Sequence, residues 1–464
     1  MKLANTDSWE KLEKIVEEWK VKYAIPGCSI GILQGGEIRT AGFGLSHAEL
    51  GRKVSADTLF QIGSITKTFT ATIALKLVEE GRLDLLTPVR TYLPDFKVSD
   101  EYASTQVTPF HLLTHTAGWD GDLFIDTGDG KDAIFSYVAK MADREQIFPL
   151  GQFFSYNNAG FAVLGAVLEQ ITEKPLEDLF RSYILHPLGL KNVFFNAGEV
   201  ISYDFAVGHQ DSDQESRVAR PWNMPRCVLP MGALVTTTRD LLKFAQCYLE
   251  DGRTPDGQEM LKPETIMDMF SSKIPISPED KTSTGYSWRR RDIEQGILVG
   301  HGGGTNGQIS QLSMLPEQGF AFAIFTNSEK GDRLIAKLHQ FILEEFVNVT
   351  YELPKAISST PDQLAGFEGT ASRPGFKFTL RMIGDQLVGM EEITIGFPTE
   401  KDPPPPPSQP VRLGRCGHDR LIILDGEYKD SPIDIFRDPQ GIIRYMRLGR
   451  MYKFTPQSSE AHSN

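Results

Sequence analysis

The sequence predicts an α+β domain followed by a small all-β, barrel-like domain. The first is an antiparallel sheet flanked by helices plus a helical subdomain. Three observations carry this reading. The chain has 464 residues, and single cores stop growing at roughly 250–300 residues, so two domains are the default. An amphipathic helix runs directly into a hairpin signal, and strand signals return near residue 296 after a long mixed stretch, which is an α+β pattern. Beyond residue 350, strand signals recur at short spacing between Gly and Asp turns, as in small barrels.

The elements follow in order. Trp9, Leu12, Val16, Trp19 and Tyr23 recur at helical spacing within Asp7–Tyr23, giving an amphipathic helix. Ile25-Pro-Gly27 breaks it, and Cys28–Gln34 and Glu37–Gly44 flank the Gly35-Gly36 turn as a hairpin. The segment after Ser64 is apolar nearly all round and stops at Gly81, as a helix buried in mid-domain does. Phe161–Gln170 and Arg239–Leu249 read as helices. Gly296–Val299, Ile309–Leu315 and Phe320–Phe325 read as returning strands, and Arg333–Phe346 as a closing helix. Residues 351–360 form a linker between a domain over 1–350 and one over 361–457, with a frayed tail at 458–464. Strands of the second domain are expected at Lys377–Met382, Gln386–Met390, Leu421–Leu424, Ile433–Arg437, Ile442–Leu448 and Arg450–Phe454. Pro403–Pro407 is five prolines in a row, which must be extended and exposed.

Composition excludes several function classes. The formal net charge is -13, and nucleic-acid binding needs a basic face to displace condensed counterions. Cys28, Cys227, Cys247 and Cys416 form no CxxC pair, so no zinc site or disulfide framework is expected. No metal or cofactor is called for. No signal-peptide h-region follows the start, and no apolar run is long enough to span a bilayer, so the expected location is cytoplasmic.

The chemistry concentrates in three segments. In Gly63-Ser-Ile-Thr-Lys67 a serine and a lysine stand three apart at a helix start, where i and i+3 share a face. A serine hydroxyl needs a neighbouring base to act as a nucleophile. Burial against the apolar residues that follow would push the lysine toward its neutral form, and the helix N-terminus favours a developing oxyanion. The spacing alone is weak, since Ser8 and Lys11 share it on the charged first helix. Context singles out Ser64. In Phe153-Phe-Ser-Tyr156-Asn-Asn158, Tyr156 and Asn158 lie two apart and point the same way in an extended chain. A phenol near an ammonium can have its pKa lowered and act as a general base; Asn158 could hold the lysine or a substrate amide. Taken alone, the segment better fits a loop tyrosine with a turn asparagine. Finally, His301-Gly-Gly-Gly304-Thr-Asn-Gly307 sits in front of a strand, and glycine there lets backbone approach a ligand closely. A plain turn is the alternative, while a P-loop is excluded because no Gly-Lys-Ser/Thr follows.

Ser64-Ile-Thr-Lys67, Tyr156-Asn-Asn158 and His301-Gly-Gly303, in this order, resemble the serine β-lactamase and penicillin-binding-protein fold family, nearest its class C-like branch of S12 serine peptidases and related esterases. Ile25-Pro-Gly27, Leu112-Leu-Thr-His-Thr-Ala-Gly118, His186-Pro-Leu-Gly-Leu190, Thr236-Thr-Thr-Arg-Asp-Leu241 and Gly285-Tyr-Ser-Trp288 are similar to phrases of that family. The resemblance covers about residues 8 to 347. It implies Ser64 as the acylated nucleophile, Lys67 as its proton partner and Tyr156 as general base. Asn158 would be an orienting amide and His301 would line the substrate site, with Gly303 beside it on the same strand. The backbone N–H groups of Ser64 and Gly304 would form an oxyanion hole. The region 355–464 resembles the lipocalin-like domain that some S12 peptidases append.

The resemblance implies a hydrolase of amides or short peptides, some with a D-residue. A carboxylesterase, a weak β-lactamase, transacylation to a small acceptor and an idle scaffold on the same fold are the alternatives. The third motif has His301 where a lysine would bind a substrate carboxylate; this lowers the expectation of β-lactam hydrolysis or carboxypeptidase action. The expected partner is a small molecule or short peptide, and a homo-oligomer is compatible with the family.

Overall fold

In the computed structural model, residues 6–212, 215–396, 403–404, 406–426 and 428–457 are described; the tail expected at 458–464 and residue 405 of the proline run lie outside them. The first helix, α1 (Thr6–Lys22), buries Trp9, Leu12 and Val16 against the closing helix α5 (Gly331–Val347) and the sheet. Ser8 and Lys11, the second serine–lysine pair, both bond Glu345 of α5, at 2.9 and 2.7 Å, so that pair serves helix packing.

The central sheet has nine antiparallel strands. They are β1 (Gly27–Gln34), β2 (Glu37–His47), β3 (Arg52–Lys53), β4 (Ile274–Ser277), β5 (Thr282–Thr284), β6 (Arg289–Ile293), β7 (Gly296–Thr305), β8 (Gln308–Leu315) and β9 (Phe320–Thr326). Their order is β3-β2-β1-β9-β8-β7-β6-β5-β4. The N-terminal hairpin thus docks beside the last strand, and everything between residues 54 and 273 is an excursion from the sheet. That excursion holds the buried helices α2 (Thr66–Glu79), α3 (Asn158–Thr172) and α4 (Thr238–Leu249). Phe69 of α2 stacks on Phe244 of α4 with ring centroids 3.8 Å apart, fixing α2 in the core.

β7 is longer than the sequence suggests. The glycine run at 302–304 was expected in front of a strand; it is the strand's second half. Glycine gives no apolar alternation to read, yet packing requires it: a Cβ on Gly303 would lie 1.9 Å from Ile62 O. Pairing divides β7 in two. Gly296–Gly300 pairs with β6 and Val299–Thr305 with β8, so His301–Thr305 pairs with β8 alone, leaving one strand edge open.

The second unit is a closed eight-stranded antiparallel barrel. Its strands are β10 (Gly369–Arg373), β11 (Phe376–Ile383), β12 (Gln386–Ile393), β13 (Val411–Gly417), β14 (Arg420–Ile423), β15 (Pro432–Arg437), β16 (Ile443–Leu448) and β17 (Arg450–Pro456). β10 pairs with β17 to close it. Ala371, Leu380, Leu387, Leu413, Ile433 and Met446 are buried together inside, as side chains fill barrels of this size. Pro403, Pro404, Pro406 and Pro407 are exposed. Cys28, Cys227 and Cys247 are buried free thiols, and Cys416 is half-buried. No helix among the described residues is long and apolar enough to cross a membrane.

Candidate active site

Ser64 sits on a 3-10 turn (Gly63–Ile65) that runs into α2. The turn lies directly on β7. Gly63 has φ +50, and a Cβ there would come within 2.6 Å of Gly304 N, so only glycine lets the two backbones meet. Ser310 Oγ of β8 also donates to Ile62 O at 2.8 Å. The Ser64 turn therefore faces the open edge of β7.

Lys67 Nζ is 3.0 Å from Ser64 Oγ and donates to Met231 O at 2.6 Å. No carboxylate among the described residues bonds this amine. It is fully buried, and its pKa is held well below the usual lysine value, first by burial and then by the nearby Arg450, with Asp122 opposing. Desolvation penalises the ammonium, so the amine is poised toward the neutral state. The rings of Tyr156 and Phe161 face it at 5.1 and 5.6 Å.

Tyr156 closes the site from the other side. Its hydroxyl is buried without a hydrogen bond of good geometry, although Ser64 lies close enough to favour the phenolate. Burial outweighs that and pushes the phenol up to about 12. The sequence reading expected a lowered phenol; the direction is the reverse, because burial of the phenol outweighs the nearby Arg450 and Arg289 cations that favour a phenolate. The tyrosine ring stacks on His115, 4.4 Å away, and His115 Nδ1 accepts from Asn157 N at 3.0 Å.

Asn158 begins α3, so the extended i, i+2 geometry does not hold. Its amide donates to Asp122 Oδ1 at 2.9 Å, not to Lys67. His301 is buried beside Tyr156, ring centroids 6.0 Å apart. Its Nδ1 contacts Gly302 O at 2.5 Å. This puts the hydrogen on Nδ1 and leaves Nε2 as a buried acceptor without a partner. Burial drives its pKa down to about 3, so the ring is neutral at ordinary pH.

Three residues that matter were not singled out from sequence. Asp122 is buried, bonded to Arg450 at 3.0 and 3.1 Å and to Arg373 at 3.2 Å. Arg450 comes from the barrel and lies 4.7 Å over the Tyr156 ring. Arg289 of β6 packs on Phe154 and Tyr156 at 4.2 and 5.4 Å, and no carboxylate or carbonyl among the described residues bonds its guanidinium. Burial lowers its pKa to about 10, with Arg447 and Arg450 adding to that. Arg289 and His301 line a cavity of about 850 Å³ between the first unit and the barrel. The triple Arg289-Arg-Arg291 was the one sequence signal for this cation.

Sequence and fold are both similar to those of known proteins. The Beta-lactamase family model matches residues 12–345. The chain is similar to penicillin-binding protein 4 of Amycolatopsis lactamdurans, 30% identical over 365 residues, which cover 77% of this chain and 95% of that protein. It is 27% identical over 342 residues to the unguisins hydrolase ungD' of Aspergillus campestris, covering 69% of this chain and 63% of that protein, so it spans less than two thirds of that relative. Its fold is similar to the crystal structure of SurE with D-Leu, with TM-score 0.74 and 23% identity over 97% of this chain and 100% of that one; the likeness therefore runs through the barrel.

Proposed function

The chain belongs to the beta-lactamase family, whose relatives here include a hydrolase and a penicillin-binding protein, and from that premise we propose that it is a serine hydrolase opening amide or peptide bonds through an acyl-enzyme on Ser64. The observation that carries this is the buried Lys67 amine, unpaired with any carboxylate among the described residues and 3.0 Å from Ser64 Oγ. A structural lysine has no reason to be desolvated there; a general base does.

The steps balance with this chain's own groups. Ser64 Oγ attacks the carbonyl carbon while its proton passes to the Lys67 amine. The oxyanion forms on the N–H groups of Ser64 and Gly304. Tyr156, protonated because its pKa lies near 12, donates to the leaving nitrogen, and the Lys67 ammonium returns a proton to the tyrosine. The C–N bond breaks and the acyl group stays on Ser64. Water then attacks the ester and gives its proton to the Lys67 amine, which passes it to Ser64 Oγ as the C–O bond breaks and the free acid leaves. His301 Nε2, a fixed acceptor, takes a substrate N–H, and the open edge of His301–Thr305 accepts an extended chain.

Arg289 refines the substrate class. His301 cannot bind a carboxylate while neutral, but Arg289 supplies an unpaired cation on the same cavity. A half-buried guanidinium without an anion among the described residues is costly, so the site is suited to a substrate carboxylate. This restores the acid-ended substrates that the missing third-motif lysine had made less expected. The test is turnover of short D- and L-residue peptides ending in a free acid against the same peptides ending in an amide, with p-nitrophenyl esters alongside. Acid-ended substrates are expected to be preferred, and Arg289→Ala to lower their kcat/KM by about tenfold or more, as loss of a charged hydrogen bond does, while amide-ended ones change little. No turnover of any amide or ester in the panel would overturn the hydrolase reading.

A further inference from the structure

The segment that carries Tyr156 and Asn158 hangs from the barrel. Arg447 of β16 donates to Phe154 O at 3.2 Å. Tyr156 N donates to Gly449 O at 3.3 Å, and Met451 N donates to Ser155 Oγ at 3.0 Å. Gly449 is the turn between β16 and β17, with φ +66. Arg450, next in the chain, places its guanidinium over the Tyr156 ring and grips Asp122 with two nitrogens. Asp122 in turn holds the Asn158 amide. Ser64 and Lys67 make none of these bonds; Lys67 donates to Ser64 Oγ and to Met231 O, both in the first unit.

We propose that Arg450 and Asp122 are positioning residues through which the docked barrel completes the active site, fixing Tyr156 and Asn158 against a Ser64–Lys67 pair that the first unit builds alone. The inference rests on the Ser64 hydrolase reading. It also has an electrostatic consequence. Lys67 is faced by Arg450 from the barrel, Arg289 from β6, His301 from β7, His115 and Tyr156 from the neighbouring loops, and Asp122. Among these, Arg450 and Asp122 act on the lysine with opposite sign.

The test is the rate of anilide turnover as a function of pH, in the full chain, with fluorophosphonate labelling of Ser64 alongside. Arg450→Met and Asp122→Asn are each expected to slow anilide turnover about 10- to 100-fold, the usual result of a misplaced catalytic group. Their acid limbs are expected to move apart. Removing the cation moves the Arg450→Met limb to higher pH; removing the anion moves the Asp122→Asn limb to lower pH. Arg450→Lys, which keeps the charge but not the fork, is expected to restore the limb and only part of the rate. A merely structural role would lower the rate without moving the limb. Wild-type rate and limb in Arg450→Met overturn the proposal, as do limbs that move together in the two variants. If Arg450→Met does not fold by circular dichroism, Arg450→Lys and Asp122→Asn decide: limbs that coincide overturn it. Failure of the wild-type chain to label at all overturns instead the hydrolase reading beneath it.

Discussion

Replacing Lys67 by methionine is expected to slow acylation of Ser64 by at least about a thousandfold, since nucleophile activation and later proton return both need this amine. Methionine keeps the unbranched apolar stem, and the buried site favours it. The lost hydrogen bond to Met231 O is offset by removal of a desolvated amine, so the variant is expected to fold, as circular dichroism will show. The wild-type pH profile carries the same logic. The working form of Lys67 is neutral and its folded pKa is lowered. Activity is therefore present above that depressed value and is lost as pH falls through it. His301, down near 3, stays neutral over this range, and Tyr156, up near 12, stays protonated. The acid limb thus belongs to Lys67, and any residual rate in Lys67→Met is expected to lack it. A methionine variant that keeps both rate and limb would assign the base elsewhere.

Replacing Tyr156 by phenylalanine is expected to lower kcat for amides about 100- to 1,000-fold, within the usual range for a general acid–base group. The ring packing on His115 and under Arg450 survives, because only the unpartnered hydroxyl is lost. Loss of an unsatisfied buried group costs the fold nothing, so the thermal midpoint is expected to hold or rise. The discriminating comparison is the leaving group. A p-nitrophenolate leaves without protonation, so ester turnover is expected to fall much less than anilide or peptide turnover. Equal losses on esters and amides would mean that Tyr156 does not protonate the leaving group.

Much of this site was legible because its signals are local. Ser64 and Lys67 share a helix face, and the burial of that helix shows in its all-round apolar composition. Ile443–Leu448 and Arg450–Pro456 were also readable as strands from their alternation. Gly369–Arg373 and Val411–Gly417 were not, since glycines and surface arginines interrupt the apolar period that marks a strand. The second half of β7 was hidden for the same reason: glycines chosen for close contact with Ile62 and Gly63 leave no pattern of burial. Asp122, Arg289 and Arg450 were illegible for a different reason. Each reads in sequence as an ordinary solvated charge, and only docking of the barrel, about 330 residues downstream of Asp122, buries them together. The Tyr156 hydroxyl misled in the same way, because its pKa is set first by its own burial, which only the tertiary packing creates.

The most direct test of the Ser64 acyl-enzyme is intact-protein mass spectrometry after incubation with a fluorophosphonate, followed by peptide mapping. The wild-type chain is expected to gain a single adduct on the peptide containing Ser64, and Ser64→Ala to gain none under the same conditions. A wild-type chain without an adduct, or a Ser64→Ala chain labelled to the same extent, would contradict the account.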